Sequence, residues 1–447
     1  MFTTLKNAFK IKEIRNKILF TFAMLVVIRI GSQLPTPGID SSVIGQLFSQ
    51  TEGAFGFFDA ITGGSFFNMS ILALNITPYI TSSILMQLLT IAIPKLEEMQ
   101  RDGEDGRKKI ASITRYVTIA LALIQSTAMA VGFGRQGLLA GYMTMTTGQR
   151  VLSIVTAVAT LTAGSAFLMW VGERITEKGI GNGISIVLVI NIISRLPQDI
   201  GNLFKMFVFT KFNEGAPASG LLAAVIIFAI IIGMVVLVII LNDGVRKIPV
   251  QYANKVQGRK MVGGQTSNIP LKVNTAGVIP VIFAQSILQT PPIISQFIGV
   301  SETGVWGEIL RYMNFNLWCN PSQPKYSIGL LVYIVLIIFF AYFYTSITFN
   351  PLMIADNMKK QGGFIPGIRP GKPTSDYLNK MLNYIVFVGA VGLTIIAVIP
   401  YIFSGIFKAS VSFGGTSLII IVSVVLETMK QVESQMLVRN YKGFLEK

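Results

Sequence analysis

The side chains that most often carry out enzymatic chemistry are scarce in this 447-residue sequence. Histidine is absent, which removes the commonest metal ligand and the side chain best suited to moving protons near neutral pH. Zinc hydrolysis and histidine-dependent acyl or phosphoryl transfer go with it. The single cysteine, Cys319, excludes an internal disulfide and a cysteine-based metal cluster. The run from Gly362 to Lys372 ends in a Gly-Lys pair like that of a phosphate-binding loop. Pro366, however, stands where the first glycine of G-x4-G-K-[ST] is needed, and Pro373 follows the lysine. The sequence offers no catalytic residue, no metal site, no cofactor site and no nucleotide-hydrolysing motif, so it reads as no enzyme, and any work must be driven from outside.

The elements that could position functional groups follow from composition. Hydrophobic residues make up 52% of the chain and charged residues 13%, against roughly a quarter charged in a soluble domain. A membrane-spanning helix needs about 20 mostly apolar residues, because lipid cannot hydrogen-bond the backbone. Ten stretches are expected to span: 18–37, 71–93, 116–133, 151–172, 182–194, 218–242, 273–290, 327–348, 381–399 and 413–429. The fifth is short, and the second and seventh carry Pro78 and Pro280 in their interiors. The basic stretch before the first resembles that of a signal peptide, but no small-residue cleavage site follows, and the segment is expected to be retained. Of the 37 Lys and Arg, 28 fall in the N-terminus, the even-numbered connections and the C-terminal tail, and only 8 in the odd connections. The positive-inside rule then places both termini in the cytoplasm. Most of the net charge of +16 marks that orientation.

As drawn, the spans hold no mid-membrane Asp or Glu, and Arg29 is their one conspicuous charge, either functional or snorkelling to the outer headgroups. Their polar content is otherwise uncharged, with Asn75, Thr77, Thr81 and Ser82 in the second span, Gln125 in the third, and Asn274 and Gln285 in the seventh. The first outer connection contains an apolar, Gly-punctuated stretch, 53–67, too short and broken to span. It is expected to fold back among the helices as a re-entrant piece, the alternative being an amphipathic helix lying on the outer leaflet. Two cytoplasmic connections, 243–272 and 350–380, are long enough to suggest function. The first alternates apolar and polar residues around a glycine tip, predicting a hairpin. The clustered bases of both favour docking to an acidic partner or to RNA phosphate.

An ordered series of motifs runs nearly the whole length of the chain. It includes Arg29-Ile-Gly-Ser32, Pro35-Thr-Pro-Gly-Ile-Asp40, Pro78-Tyr-Ile80, Gly106-Arg-Lys-Lys109, the run Gly172 to Ser185, Pro270-Leu-Lys-Val-Asn274, Gly277-Val-Ile-Pro280, Phe349-Asn-Pro351, Pro366-Gly-Ile-Arg-Pro-Gly371 and Gly414-Gly-Thr-Ser417. Together they resemble the bacterial SecY family, the channel subunit of the Sec protein translocase. The resemblance implies an all-α membrane protein whose ten helices form two inverted five-helix halves, 1–197 and 198–447, around an hourglass pore. It also implies a constriction ring at Ile76, Ile80, Ile184, Leu188, Ile282 and Ile420, where Leu188 departs from the family's isoleucine. A plug follows at about 53–67, with Phe55, Phe57, Phe58, Ile61, Gly63 and Gly64. A lateral gate is implied between the second and seventh spans, with Thr81, Gln125 and Asn274 as polar latches, and docking through Arg259, Lys260 and Arg369. The implied partners are SecE, SecG, the motor ATPase SecA, the ribosome, signal-sequence-bearing precursor proteins and membrane lipids. The implied location is the bacterial cytoplasmic membrane. Unfolded secretory chains would cross, and membrane segments leave sideways into the bilayer. A secondary transporter of a small solute shares inverted repeats and broken helices and is the competing reading; an intramembrane enzyme lacks the residues it would need.

Overall fold

The computed structural model describes residues 2–39, 59, 62–135, 146–209, 217–252, 255–257, 260–262, 266–298, 304–407 and 415–445. Fourteen α-helices are described: α1 Phe2–Lys10, α2 Lys12–Gly31, α3 Thr77–Ala92, α4 Pro94–Arg101, α5 Glu104–Arg135, α6 Thr147–Lys178, α7 Gly183–Phe204, α8 Pro217–Asp243, α9 Ile279–Ile298, α10 Gly304–Met313, α11 Ile328–Thr348, α12 Pro351–Lys360, α13 Lys372–Phe407 and α14 Gly415–Leu445. Among the described residues, six helical runs are long and apolar enough to cross a membrane: Glu104–Gly134, Thr147–Lys178, Gly183–Phe209, Gly220–Asp243, Pro324–Lys360 and Lys372–Ile402. The pair Thr77–Ala92 and Pro94–Gln100, bent by 107°, makes a seventh if counted as one span. Much of the apolar surface faces outward: Phe22, Val26 and Ile30 of α2 and Leu221, Leu222 and Val225 of α8 are exposed. So large an uncovered apolar area is a liability in water and ordinary in lipid.

Local chemistry accounts for several boundaries. Both prolines expected inside spans stand in the first turn of a helix, Pro78 in α3 and Pro280 in α9. Proline is tolerated there because the N–H it lacks would have no helical partner. Residues 71–76 and 273–278 are therefore turns and bends rather than helix, and α3 and α9 start later than hydropathy alone suggests. The fifth span is longer than expected. α7 is capped by Asn182, whose side chain accepts from the Ile184 and Ser185 N–H groups, and it runs on through Pro197 into a π-helical turn, Lys205–Phe209. Hydropathy breaks off at Asn191, Ser194 and Arg195, yet these polar groups find partners inside the protein. Arg195 and buried Asp199 consequently lie within a candidate span, which corrects the expectation that Arg29 is the one conspicuous intramembrane charge.

The all-α expectation also needs amending. Strands β1 Val245–Tyr252, β2 Lys255–Gln257, β3 Lys260–Val262, β4 Thr266–Lys272 and β5 Gly363–Phe364 are present. β1 and β4 form the predicted hairpin, with Ile248 opposite Ile269, while β2 and β3 pair as a smaller one. β5 comes from the second long connection and adds to β1, with Gln251 opposite Phe364. Ile248 and Val250 point inward from β1 onto Met358, Ile365 and Leu378. The two connections thus form one unit with its own apolar core. The second is shorter than its expected 350–380, since α12 opens it and α13 begins at Lys372.

Candidate functional site

Four separate elements bring aliphatic side chains together in one cluster. Leu188, Val189 and Ile192 of α7 pack with Ile420 of α14, and Ile80 of α3, Val278, Ile282 of α9, Ile421 and Val424 close around them. Ile80 also touches a second cluster that contains Ile76, Ile184 and Val187. Of the six ring candidates, Ile80, Leu188, Ile282 and Ile420 share one cluster. Ile184 is partly buried in the adjoining one, and Ile76, wholly buried before α3, is turned into packing with Ile28, Leu168 and Ile175. Most neighbours recur at a spacing of four: 76 and 80, 184 and 188, 188 and 192, 278 and 282, 420 and 424. That spacing stacks side chains along one helical face. It is the signal that would have found Val278, Ile192 and Val424, which sequence reasoning passed over. A constriction lined this way offers water no hydrogen bonds and closes by dewetting, while its non-directional contacts yield to a passing chain.

The segment leading into α3 packs against α7 beside this cluster. Phe55, Phe57, Phe58 and Ile61 lie outside the described residues. Gly63 and Gly64 are described, with φ of +66° and +87°. Gly63 is buried against α7: a Cβ there would stand 2.5 Å from the Asn191 carbonyl oxygen and 2.8 Å from Ser194 Oγ. Phe66, Met69, Ala73 and Leu74 pack onto Met129 and Phe133 of α5 and Leu161 of α6. The stretch after α2 straps the segment down, with the Thr36 N–H donating to the Met69 carbonyl and the Ile71 N–H to that of Leu34. The described part of this segment is folded in among the helices, and several of its backbone N–H groups are met by protein.

Polar side chains hold the same segment. Asn191 donates through Nδ2 to Asn75 Oδ1 at 3.0 Å, and Ser165 donates to the Asn75 carbonyl at 3.1 Å. Asp59 is completely buried, accepts the Phe67 N–H at 2.8 Å and is ion-paired with Arg195. Neither Asp59 nor Arg195 was singled out from the sequence. An acidic residue in an otherwise apolar loop is the only trace of the pair there.

The three gate candidates do not form one latch. The Thr81 hydroxyl donates to the Thr77 carbonyl of its own helix, and Gln125 is half-buried on α5. Asn274 donates to Asn242 of α8, which donates to Ser423 of α14. Helix α3 is tied to α5 by Ser82, which donates to the Thr114 carbonyl. α5 packs against α9, and α7 packs against α14. Of the docking candidates, Arg259 lies outside the described residues, Lys260 opens β3, and Arg369 is exposed in the turn between β5 and α13. Among the described residues no three His, Cys, Asp or Glu side chains gather as they would around a metal ion.

Comparison with known proteins points in one direction. The SecY family model matches residues 70–429. The protein translocase subunit SecY of Streptomyces scabiei is 43% identical over 454 residues, covering 100% of both chains. In fold, the chain resembles a solved SecY whose plug domain stabilises the closed state of the translocation channel and maintains a membrane seal. The TM-score is 0.62 at 18% identity, over 94% of this chain and 92% of that one. It resembles equally the Sec61 of a canine ribosome-channel complex from the endoplasmic reticulum, with TM-score 0.62, 18% identity and the same coverage.

Proposed function

The chain belongs to the SecY family and is a protein-conducting channel, and we propose that it conducts by parting its aliphatic cluster around an unfolded polypeptide. The convergence of Ile80, Leu188, Ile282 and Ile420 from four elements carries this reading. A solute transporter needs polar or charged groups at its midplane site, and this meeting point is aliphatic; that alternative is set aside. In this reading Ile76 and Ile184 support the ring, and the segment 53–67 is the plug that closes the outer funnel.

The ten hydropathic stretches are ten spans in two five-helix halves, 1–197 and 198–447, with both termini on the cytoplasmic side of the bacterial cytoplasmic membrane. The similar entries into α3 and α9, each an irregular turn followed by an early proline, support the repeat. The lateral gate lies between the second and seventh spans, α3 and α9, with Thr81, Gln125 and Asn274 as its polar residues, and the packing of α5 against α9 lies on its path. A signal sequence prises it by burying apolar surface, at about 0.8 kcal/mol per CH₂. Drive comes from SecA or a translating ribosome, docked on the joined loops around Arg259, Lys260 and Arg369. The channel is no enzyme, and SecE and SecG complete the complex. The decisive experiment reconstitutes the chain with SecE and SecG in vesicles and adds SecA, ATP and a signal-bearing precursor. The precursor is expected to become protease-protected; a precursor left wholly exposed would refute the assignment.

A further inference from the structure

One face of α7 carries Asn191, Ser194 and Arg195, spaced so that all three point the same way, and each meets the segment beside the constriction. Asn191 holds Asn75, Ser194 reaches the Gly63 carbonyl at 3.5 Å, and Arg195 pairs with Asp59 and lies 5.4 Å from the centre of the Phe67 ring. The same helix supplies Leu188, about a turn earlier, and Ile192, next to Asn191, to the aliphatic cluster. The helix that forms part of the seal therefore also holds the segment next to it.

We propose that Asp59 and Arg195 form a charged latch that keeps the plug segment seated, so that opening the channel requires this pair to part. The proposal rests on reading that segment as the plug. A carboxylate buried to 0% exposure is tolerable only when paired and hydrogen-bonded. Asp59 is both, and its bond to the Phe67 N–H couples the charge to the fold of the segment. Apolar contacts alone would let the segment settle in several neighbouring positions, whereas an ion pair with a fixed partner defines one. Asp199, one turn beyond Arg195 and also buried, lies within the field of the guanidinium. When the segment leaves, Asp59 can be hydrated in the outer funnel and Arg195 keeps a carboxylate nearby. Neither charge is stranded, which is what a reversible latch needs.

The test compares resting ion conductance in planar bilayers for the channel reconstituted with its partner subunits. Asp59→Asn and Arg195→Gln are expected to raise the frequency of resting openings about tenfold or more, because each removes the attraction that holds the segment on α7. Arg195→Lys should leak less than Arg195→Gln, since it keeps the charge. The exchange Asp59→Arg with Arg195→Asp should recover most of the seal. Single variants that seal like the parent, or an exchanged variant that leaks as much as they do, would overturn the latch. Deletion of residues 53–67 separates the two readings. If the deletion leaks and the single variants do not, the plug stands and the latch falls; if the deletion seals like the parent, both fall. Should Arg195→Gln fail to assemble, the near-isosteric Asp59→Asn decides by the same readout.

Discussion

The carboxamide of Asn274 donates to Asn242 Oδ1 at 2.8 Å, and Asn242 donates in turn to the hydroxyl of Ser423 at 2.7 Å. The relay joins the turn before α9 to α8 and α14, so its first effect is to hold the second half of the chain together. Interhelical bonds of this kind are worth about 0.6 kcal/mol on average in a bilayer, with a maximum near 2 kcal/mol. Asn242→Ala removes both bonds and should lower stability by about 1–2 kcal/mol. Thermal unfolding in detergent measures this, and a double-mutant cycle with Ser423→Ala should show losses that are not additive. Strictly additive losses would mean the relay contributes nothing as a unit.

The two aliphatic clusters make separable predictions. Ile80→Ser or Ile184→Gly should wet the constriction and make resting vesicles leak ions, read as dissipation of an imposed ion gradient. Ile76→Ala should behave differently, because Ile76 is fully buried among Ile28, Leu168 and Ile175. Its main effect should be a stability loss of about 2–4 kcal/mol from the cavity left behind. Equal leakage from all three would show that Ile76 belongs to the seal.

For the joined loops, Arg369→Glu should cripple SecA-driven export while the protein still inserts normally, because the Arg369 side chain is exposed. Gly363→Val tests the pairing of the loops. A Cβ at Gly363 would come within 2.9 Å of the Tyr252 ring, so β5 should be pushed off β1 and docking weakened. Precursor import into vesicles reads both variants. Normal import by Arg369→Glu would remove that residue from the docking surface.

A pH effect is expected at α10, which carries Glu308. Lys325 donates to its carboxylate at 2.7 Å, and this bond, aided by the charges of Lys325 and Arg311, holds the Glu308 carboxyl below its ordinary value of 4.5. A carboxyl depressed in the folded state stabilises the fold above its unfolded pKa and loses that contribution as pH falls through the folded one. The difference in melting temperature between the parent and Glu308→Gln should therefore be constant near neutrality and shrink below about pH 4.5. A difference that does not change with pH would show that the ion pair adds nothing to stability.

Much of this protein was legible from the order of its residues alone. The apolar stretches and the lopsided placement of Lys and Arg depend on summed burial and charge, which are properties of the chain at any point along it. A helix is present in each of the ten hydropathic stretches for that reason. Boundaries were less legible, because hydropathy averages over windows while a helix starts at one proline, as at Pro78 and Pro280. Tertiary structure alone decided the rest. It kept Ile76 out of the cluster that Leu188 and Ile420 form, sent Asn274 to Asn242 rather than to Thr81 or Gln125, and tied β5 to β1 across more than a hundred residues of chain. It also carried α7 past its polar residues, because Asn191 and Arg195 find partners in Asn75 and Asp59 that no local pattern announces. A buried polar group is stable only beside its partner, and that partner is chosen by how the helices pack.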